Sequence, residues 1–291
     1  MSDRQFVPQL TQDGSYTFYS QEFQEAFHSS FGAKQEAQVR YIEPCLIKQL
    51  AARQSAISIL DICYGLGYNS AAALEAIWSV NPQCRVKLIA LEISADVPLQ
   101  AVKQNLLADW YAPVPQLLAE LSNKSKVSHQ LLDARLVLGD ARQTIKSVIE
   151  ESIRVDAAFL DPFSPPKCPH LWTVEFMTLL SQCLTPTGRL ATYSCAAAVR
   201  SALLSSGLKI GSINGAGRNS PGTIASFEYK NLPPLSLMEE EHLQTRASIP
   251  YRDRTLEELP ESIISNRLQE QQVCNLASTS KWRKRWLRSN I

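Results

Sequence analysis

The chain has 291 residues, of which 45% are apolar and 20% charged, and a formal net charge of +1 at pH 7. That composition supports a sizeable core, one large domain with appendages, and excludes disorder as the default state. A nearly neutral total also excludes a surface that attracts polyanions everywhere, so any nucleic-acid contact has to be a local patch.

The start, Met1-Ser2-Asp3-Arg4-Gln5, lacks a basic-then-apolar leader pattern, and no apolar run reaches the roughly 18 residues needed to span a bilayer. A cytoplasmic chain with no membrane contact is expected. Residues 1–42 are mixed, with a turn at Asp13-Gly14 ahead of the β-rich Tyr16-Thr17-Phe18-Tyr19, and read as an N-terminal annex or lid. From Glu36 to Arg53 the apolar positions Val39, Ile42, Leu46, Ile47 and Leu50 recur at helical spacing, with Pro44 kinking or dividing the helix.

The pattern then changes to short buried strands alternating with helices, as βαβ units require. Strands are expected at 57–63, 86–92, 134–138, 155–161 and 188–194, with crossover helices at 71–80 and 98–110. Residues 111–133 read as an insertion in which 127–131 pairs with 134–138. Beyond Ser194, a helix over 196–205 ends at Gly207, and strands at 209–213 and 223–229 form a terminal antiparallel pair. The whole is α/β, a Rossmann-like, mostly parallel seven-stranded sheet over 43–230, followed by a more polar C-terminal extension over 231–291.

Acidic residues mark the carboxyl ends of the first three strands. Asp61 leads the turn Asp61-Ile62-Cys63-Tyr64-Gly65-Leu66-Gly67 into a helix, Glu92 ends the next strand, and Asp140-Ala141 follows the third. Ligands gather at such ends in open α/β sheets, and a dinucleotide site would want Gly-x-Gly-x-x-Gly instead. An acid leading two spaced glycines suits S-adenosyl-L-methionine, whose cationic part tolerates a carboxylate, so a class I methyltransferase is expected. Asp61, Gly65 and Gly67 would hold its methionine part, Glu92 its ribose hydroxyls, and Asp140 and Ala141 its adenine. The alternative for Asp61 is an acid that merely caps a strand-to-helix turn. Seven cysteines stand singly without a Cys-x-x-Cys pair and four histidines lack zinc spacing, so reduced thiols and no metal are expected.

The fourth strand delivers Asp161-Pro162-Phe163-Ser164-Pro165-Pro166-Lys167 over the expected position of the methyl group. A carboxylate there can accept hydrogen bonds from an amine, aim its lone pair and take its proton, which makes Asp161 the catalytic candidate. Phe163 and Trp172 are candidates for stacking on a flat substrate and Lys167 for a phosphate contact, against the alternatives of core packing and a solvated lysine.

The run from Phe159 through Trp172 resembles the signature of one family: the methyltransferase domain of the bacterial tRNA 5-methylaminomethyl-2-thiouridine biosynthesis protein, MnmC-like, including forms without its oxidase domain. Leu190-Ala191-Thr192-Tyr193-Ser194, Val199-Arg200 and Gly215-Ala216-Gly217-Arg218 follow the family order, and the likeness runs from about Asp13 to Tyr229. The resemblance implies methylation of an aminomethyl nitrogen on a wobble uridine of tRNA, with Asp161 catalytic and Arg218 at the substrate. Cys63 departs from the family's first turn glycine and Pro162 from the glycine after the catalytic aspartate; cysteine disfavours the positive φ that glycine allows. No glycine motif for FAD follows Tyr229, so the carboxymethyl-removing step is not expected of this chain. Pro250-Tyr251-Arg252-Asp253 resembles a C-terminal element of the stand-alone members.

Lys281-Trp282-Arg283-Lys284-Arg285-Trp286-Leu287-Arg288 concentrates positive charge and tryptophan in a basic tail. It reads either as a tRNA contact, extended by Arg200, Arg218 and Lys167, or as a helix packed by its tryptophans onto the core. A small-molecule amine methyltransferase and a non-catalytic RNA-binding relative of the same fold are the competing functional readings. Cofactor titration with and without tRNA separates them.

Overall fold

The computed structural model describes residues 6–213 and 220–288. Two short antiparallel pairs come first, β1 (Gln9–Leu10) with β2 (Tyr16–Thr17) and β3 (Tyr19–Ser20) with β4 (Glu25–Ala26). The helical stretch after them is divided: α1 (Ala33–Ala37) passes into a π turn at Gln38–Ile42, and α2 (Ile47–Ala51) starts after Leu46, whose φ is 56°. Pro44, with no amide hydrogen to donate, stands in the gap.

The central alternation follows as β5 (Ala56–Ile62), α3 (Tyr68–Val80), β6 (Arg85–Glu92), α4 (Asp96–Lys103), α5 (Val114–Lys124), β7 (Lys126–Ser128), β8 (Leu132–Leu138), α6 (Ala141–Glu150), β9 (Val155–Leu160), α7 (Val174–Gln182), β10 (Leu184–Thr192), α8 (Ala197–Ser205), β11 (Lys209–Ile213) and β12 (Gly222–Ser226). These strands form one sheet in the order β11-β12-β10-β9-β5-β6-β8-β7. The five inner strands β10, β9, β5, β6 and β8 are parallel; β12 pairs antiparallel with β10 and β11, and β7 antiparallel with β8. The sheet therefore has eight strands rather than seven, because the hairpin expected inside the insertion adds β7 at the edge. α4 stops at Lys103, short of 110, and Asn105 at φ 58° turns the chain away. The insertion also holds α5, whose Val114, Leu117, Leu118 and Leu121 are buried at helical spacing.

Both faces of the sheet are covered, which explains the nearly continuous apolar strands. Ile57 and Ile59 of β5 pack into one cluster with Leu88 and Ala90, while Leu60 and Ile62 pack into the other with Ile89 and Leu91. Burying each such side chain contributes about 1.5–3 kcal/mol, so the strand ends that carry the acids stand on the best-packed part of the molecule.

Beyond the sheet lie α9 (Leu237–His242), α10 (Pro260–Val273) and α11 (Thr279–Arg288). Arg200 of α8 anchors this region. Its guanidinium, 1% exposed, donates to Thr223 Oγ1 at 3.0 Å and to Glu239 Oε1 at 2.6 Å. Burial opposes ionisation of Glu239, yet hydrogen bonds from Ser236, Arg200 and Ser212 hold its carboxyl down at about 2. Arg200 is thus an internal tie and not part of a basic surface, since an unpaired buried guanidinium is too costly to leave there.

In α11 the tryptophans face inward. Trp282 stacks on His242 with ring centroids 4.1 Å apart and donates to Met238 O at 3.1 Å, and Trp286 Nε1 donates to Glu241 Oε2 at 2.8 Å. These two rings dock the helix on α9, so they are not free to stack on bases; Lys281, Arg283 and Lys284 remain exposed. Among the described residues no helix is long and apolar enough to cross a membrane.

Candidate active site

β5 has β6 on one side and β9 on the other, so the crossover direction reverses at β5 and a crevice opens at the carboxyl ends of these strands. A cavity of about 1330 Å³ occupies this place, lined by residues of every element that the strand-end pattern singles out.

The first wall comes from β5, β6 and β8. Cys63 and Tyr64 both donate backbone N–H groups to Leu91 O, at 2.9 and 3.1 Å, and Gly65 N donates to Glu92 Oε2 at 2.8 Å. Ile93 N donates to Glu92 Oε1, also at 2.8 Å. Each oxygen of Glu92 keeps lone-pair capacity for a further donor, and the carboxylate lines the cavity. Burial raises its pKa, against the pull of these backbone donors.

The turn itself resolves the departure at Cys63, which takes φ 65°, the left-handed conformation that a glycine would adopt without strain. Gly65 has φ 55° and lines the cavity. Gly67, at φ 86°, does not line it; a Cβ there would lie 2.6 Å from the Tyr64 hydroxyl, so this glycine serves the turn. Asp61 is fully buried and, unlike Gly65 and Glu92, is not among the residues that line the cavity. Its Oδ2 accepts from Ser70 Oγ at 2.6 Å, while Oδ1 is buried with no hydrogen-bond partner. Burial, with Asp161 and Glu92 nearby, pushes its pKa up to about 7 despite the Ser70 bond.

Asp140 caps α6, accepting from Arg142 N at 2.9 Å, and pairs with the Arg142 guanidinium at 2.7 Å. Burial works against ionisation, but these bonds keep its pKa low. Arg142 also pairs at 2.7 Å with Asp253, which is fully buried, so the 250–253 element of the C-terminal region buttresses this wall. Ala141 lines the cavity beside it.

The second wall comes from the loop after β9 and from the N-terminal pairs. Asp161 Oδ2 accepts from Asn69 Nδ2 at 2.9 Å, and Tyr193 Oη donates to Pro162 O at 2.9 Å. Phe163 stacks on Phe23 at 4.3 Å and meets Phe27 edge-on at 5.1 Å. Ser164 donates its backbone N–H to Glu25 Oε2 at 3.0 Å and its hydroxyl to Glu25 Oε1. Trp172 is wholly buried, donates to Phe163 O at 2.9 Å and stands edge-on to Tyr193. It supports the loop from beneath and is not a stacking face, a correction to the sequence reading that follows from its enclosure. Lys167 is exposed and does not line the cavity. Arg218 lies outside the described residues.

Sequence reasoning missed Asn69, Glu25, Glu36, Phe23, Tyr193 and His170. His170 lines the cavity, and burial and the Arg142 charge lower its pKa against the opposing charges of Asp140 and Asp253. Tyr193 and His170 stood within or beside the quoted motifs; Glu25 and Glu36 carried no local signal. Among the described residues no cluster of three or more potential metal ligands occurs, and all seven cysteines are free thiols.

A family model described as S-adenosyl-L-methionine-dependent methyltransferase matches residues 98–228. The fold superposes on the crystal structure of MNMC2 from Aquifex aeolicus with a TM-score of 0.81 and 32% identity, covering 94% of this chain and 87% of that one. An uncharacterized protein of Methanocaldococcus jannaschii is 29% identical over 265 residues, 88% of this chain and 70% of its own length. The tRNA 5-methylaminomethyl-2-thiouridine biosynthesis bifunctional protein MnmC of an Acidovorax species is 27% identical over 213 residues, 68% of this chain. The chain spans about a third, 32%, of that bifunctional relative.

Proposed function

The chain belongs to the MnmC-like family of S-adenosyl-L-methionine-dependent methyltransferases, and we propose that it methylates the nitrogen of 5-aminomethyl(-2-thio)uridine at the tRNA wobble position, giving 5-methylaminomethyl(-2-thio)uridine. The observation that carries this reading is Asp161, a carboxylate held by Asn69 just beyond the glycine turn, in a cavity whose lining, among the described residues, includes no lysine or arginine. Such a lining suits an amine acceptor.

The residues of the first wall fit the methyl donor. Glu92, which lines the cavity, has capacity left for ribose hydroxyls, and the unpartnered Oδ1 of Asp61, a buried residue outside the cavity lining, would supply negative charge toward the donor's ammonium group. Asp140 and Ala141 would border the adenine. When bound, S-adenosyl-L-methionine supplies an electrophilic methyl group on a cationic sulfur.

An alkylammonium is mostly protonated at neutral pH and must lose a proton before its nitrogen can attack. Asp161 accepts that proton and orients the freed lone pair. With the methyl group supplied by the bound donor, the nitrogen so oriented would take the methyl as the donor's sulfur keeps the bonding pair, and Asp161 would pass its proton to water. The flat uridine meets Phe163, the one aromatic ring of the predicted substrate set that borders the cavity. The tRNA backbone is left to exposed cations outside the cavity, among them Lys281, Arg283, Lys284 and Lys167.

Two measurements test the reading. Nucleosides from tRNA of cells lacking the gene should show methylaminomethyluridine lost and aminomethyluridine accumulated by mass spectrometry; an unchanged profile in cells with no second such enzyme overturns the proposal. In purified protein, Asp161→Asn should lower kcat on aminomethyluridine tRNA by about 10²–10⁴-fold, the usual contribution of a positioned base, with donor binding retained.

A further inference from the structure

We propose that Asp253, from the C-terminal region, is a positioning residue for the methyl donor: through Arg142 it sets the orientation and acceptor strength of Asp140, the carboxylate that takes a hydrogen bond from the 6-amino group of the adenine. This role rests on the proposed placing of the adenine beside Asp140 and Ala141, and it gives the C-terminal region a share in donor binding.

Asp253 stands 111 residues beyond Arg142, in a segment that the first turn of α7 holds in place. Val174 donates its backbone N–H to Tyr251 O at 3.1 Å, and Asp253 donates its own to Glu175 Oε2 at 2.8 Å. The Arg267 guanidinium covers the Tyr251 ring, 4.5 Å from its centroid. So delivered, the Asp253 carboxylate is fully buried. Its Oδ1 accepts from the backbone N–H groups of Glu257 and Glu258, each at 3.1 Å, and its Oδ2 pairs with Arg142 Nη1 at 2.7 Å. The same Nη1 donates to Glu258 O at 3.0 Å, so the 253–258 turn grips one arm of the guanidinium from two sides.

The rest of that guanidinium faces Asp140. Nη2 donates to Oδ2 at 2.7 Å, Nε is shared between Oδ2 and Oδ1 at 3.1 and 3.2 Å, and the Arg142 backbone N–H reaches Oδ1 at 2.9 Å. These three N–H groups leave one of the roughly four acceptor sites of a carboxylate. Asp140 is the member of the trio that lines the cavity, with its side chain 32% exposed, so the remaining site can be reached by an amino group there. Charge decides how strongly it accepts. One guanidinium serves two carboxylates, so Asp140 is only partly neutralised and keeps the strength of a charged acceptor. Without the Asp253 charge the cation would bear on Asp140 alone, and the arm that fixes its direction would be held by Glu258 O only.

The test is calorimetric titration of wild type, Asp253→Asn and Asp140→Asn with S-adenosyl-L-methionine and with its purine analogue, in which hydrogen replaces the 6-amino group. Asp253→Asn should weaken the natural donor by about 3–10-fold, the scale of one hydrogen bond, and leave the affinity of the analogue unchanged. The preference for the amino group then shrinks. Equal loss of both affinities would make Asp253 a general support of the fold and overturn its role, as would wild-type affinity for both donors. Should Asp253→Asn fail to fold, Arg142→Lys decides: it keeps the cation without the fork that grips two carboxylates, so the preference should shrink in the same way, and an unchanged preference overturns the role. If wild type does not prefer the natural donor, or if Asp140→Asn keeps the full preference, the placing of the adenine beside Asp140 falls, and this inference with it.

Discussion

The two walls of the cavity are held by different forces. On the β5, β6 and β8 side most ties run from backbone N–H groups at neighbouring strand ends, Gly65 to the Glu92 carboxylate, Cys63 and Tyr64 to Leu91 O and Gly139 to Glu92 O, with Arg142 to Asp253 a long-range side-chain support behind Asp140. On the acceptor side the ties are side chains reaching across the sequence, such as Glu25 to Ser164, 139 residues apart, and Phe23 against Phe163. A wall built on packed parallel strands is rigid and shared by many enzymes, whereas one assembled from a hairpin and a loop can be altered contact by contact. On the proposed function, donor binding would fall on the stiff side and acceptor choice on the adaptable one.

The strongest way to break that division is at Asp61. Asp61→Asn should weaken donor binding by about 10–100-fold, the cost of a charged hydrogen bond. In wild type the donor's cation prefers the carboxylate form, so affinity should fall as pH drops through about 7, the Asp61 value, and the variant should lose this dependence in calorimetric titrations. The same shift has a stability consequence. A carboxyl whose pKa is raised on folding contributes fully below its unfolded value of 3.8 and loses that contribution as pH rises through about 7. Donor-free Asp61→Asn should therefore melt higher than wild type at pH 8, and an equal or lower Tm would show that Asp61 is not strained by its burial.

Glu25 sharpens the other half of the comparison. Glu25→Gln keeps the shape but removes the charge that holds Ser164, a loss of roughly 1–2 kcal/mol in loop placement, or about tenfold in kcat/KM on tRNA. Donor affinity should not change; a parallel loss of donor binding would mean that the walls are not independent. The smallest effect is expected at Cys63→Gly. Relieving a left-handed cysteine should stabilise the protein by about 1 kcal/mol in denaturant unfolding, with donor affinity unchanged. Destabilisation instead would assign Cys63 a packing role that outweighs its strain.

What was legible follows the same boundary. The acids after β5, β6 and β8 could be read because each follows directly on an apolar run, and chain direction alone puts it at the carboxyl edge. The hairpin giving β7 was visible, but its membership of the sheet was not, since pairing at an edge carries no periodicity of its own. Helix α5 went unread inside the stretch taken as an insertion although Val114, Leu117, Leu118 and Leu121 carry the spacing; Pro115 sits in its first turn, where no amide hydrogen is needed. The tail shows the limit from the other direction. Interleaved tryptophans and cations look alike whether the rings meet bases or His242 and Glu241, and only the position of α9 decides between them.

By itself the sequence determined the α/β alternation, the glycine turn and the acid at each strand end, because these depend on residues within one βα unit. Only the tertiary structure decided that Trp172 and Arg200 are interior supports, that Asp253 reaches Arg142, and that Glu25 and Glu36 come to the acceptor wall. Those outcomes depend on long-range burial and on pairing between distant charges. No local pattern records either, because the cost of an unpaired buried charge is settled by whichever partner the fold brings to it.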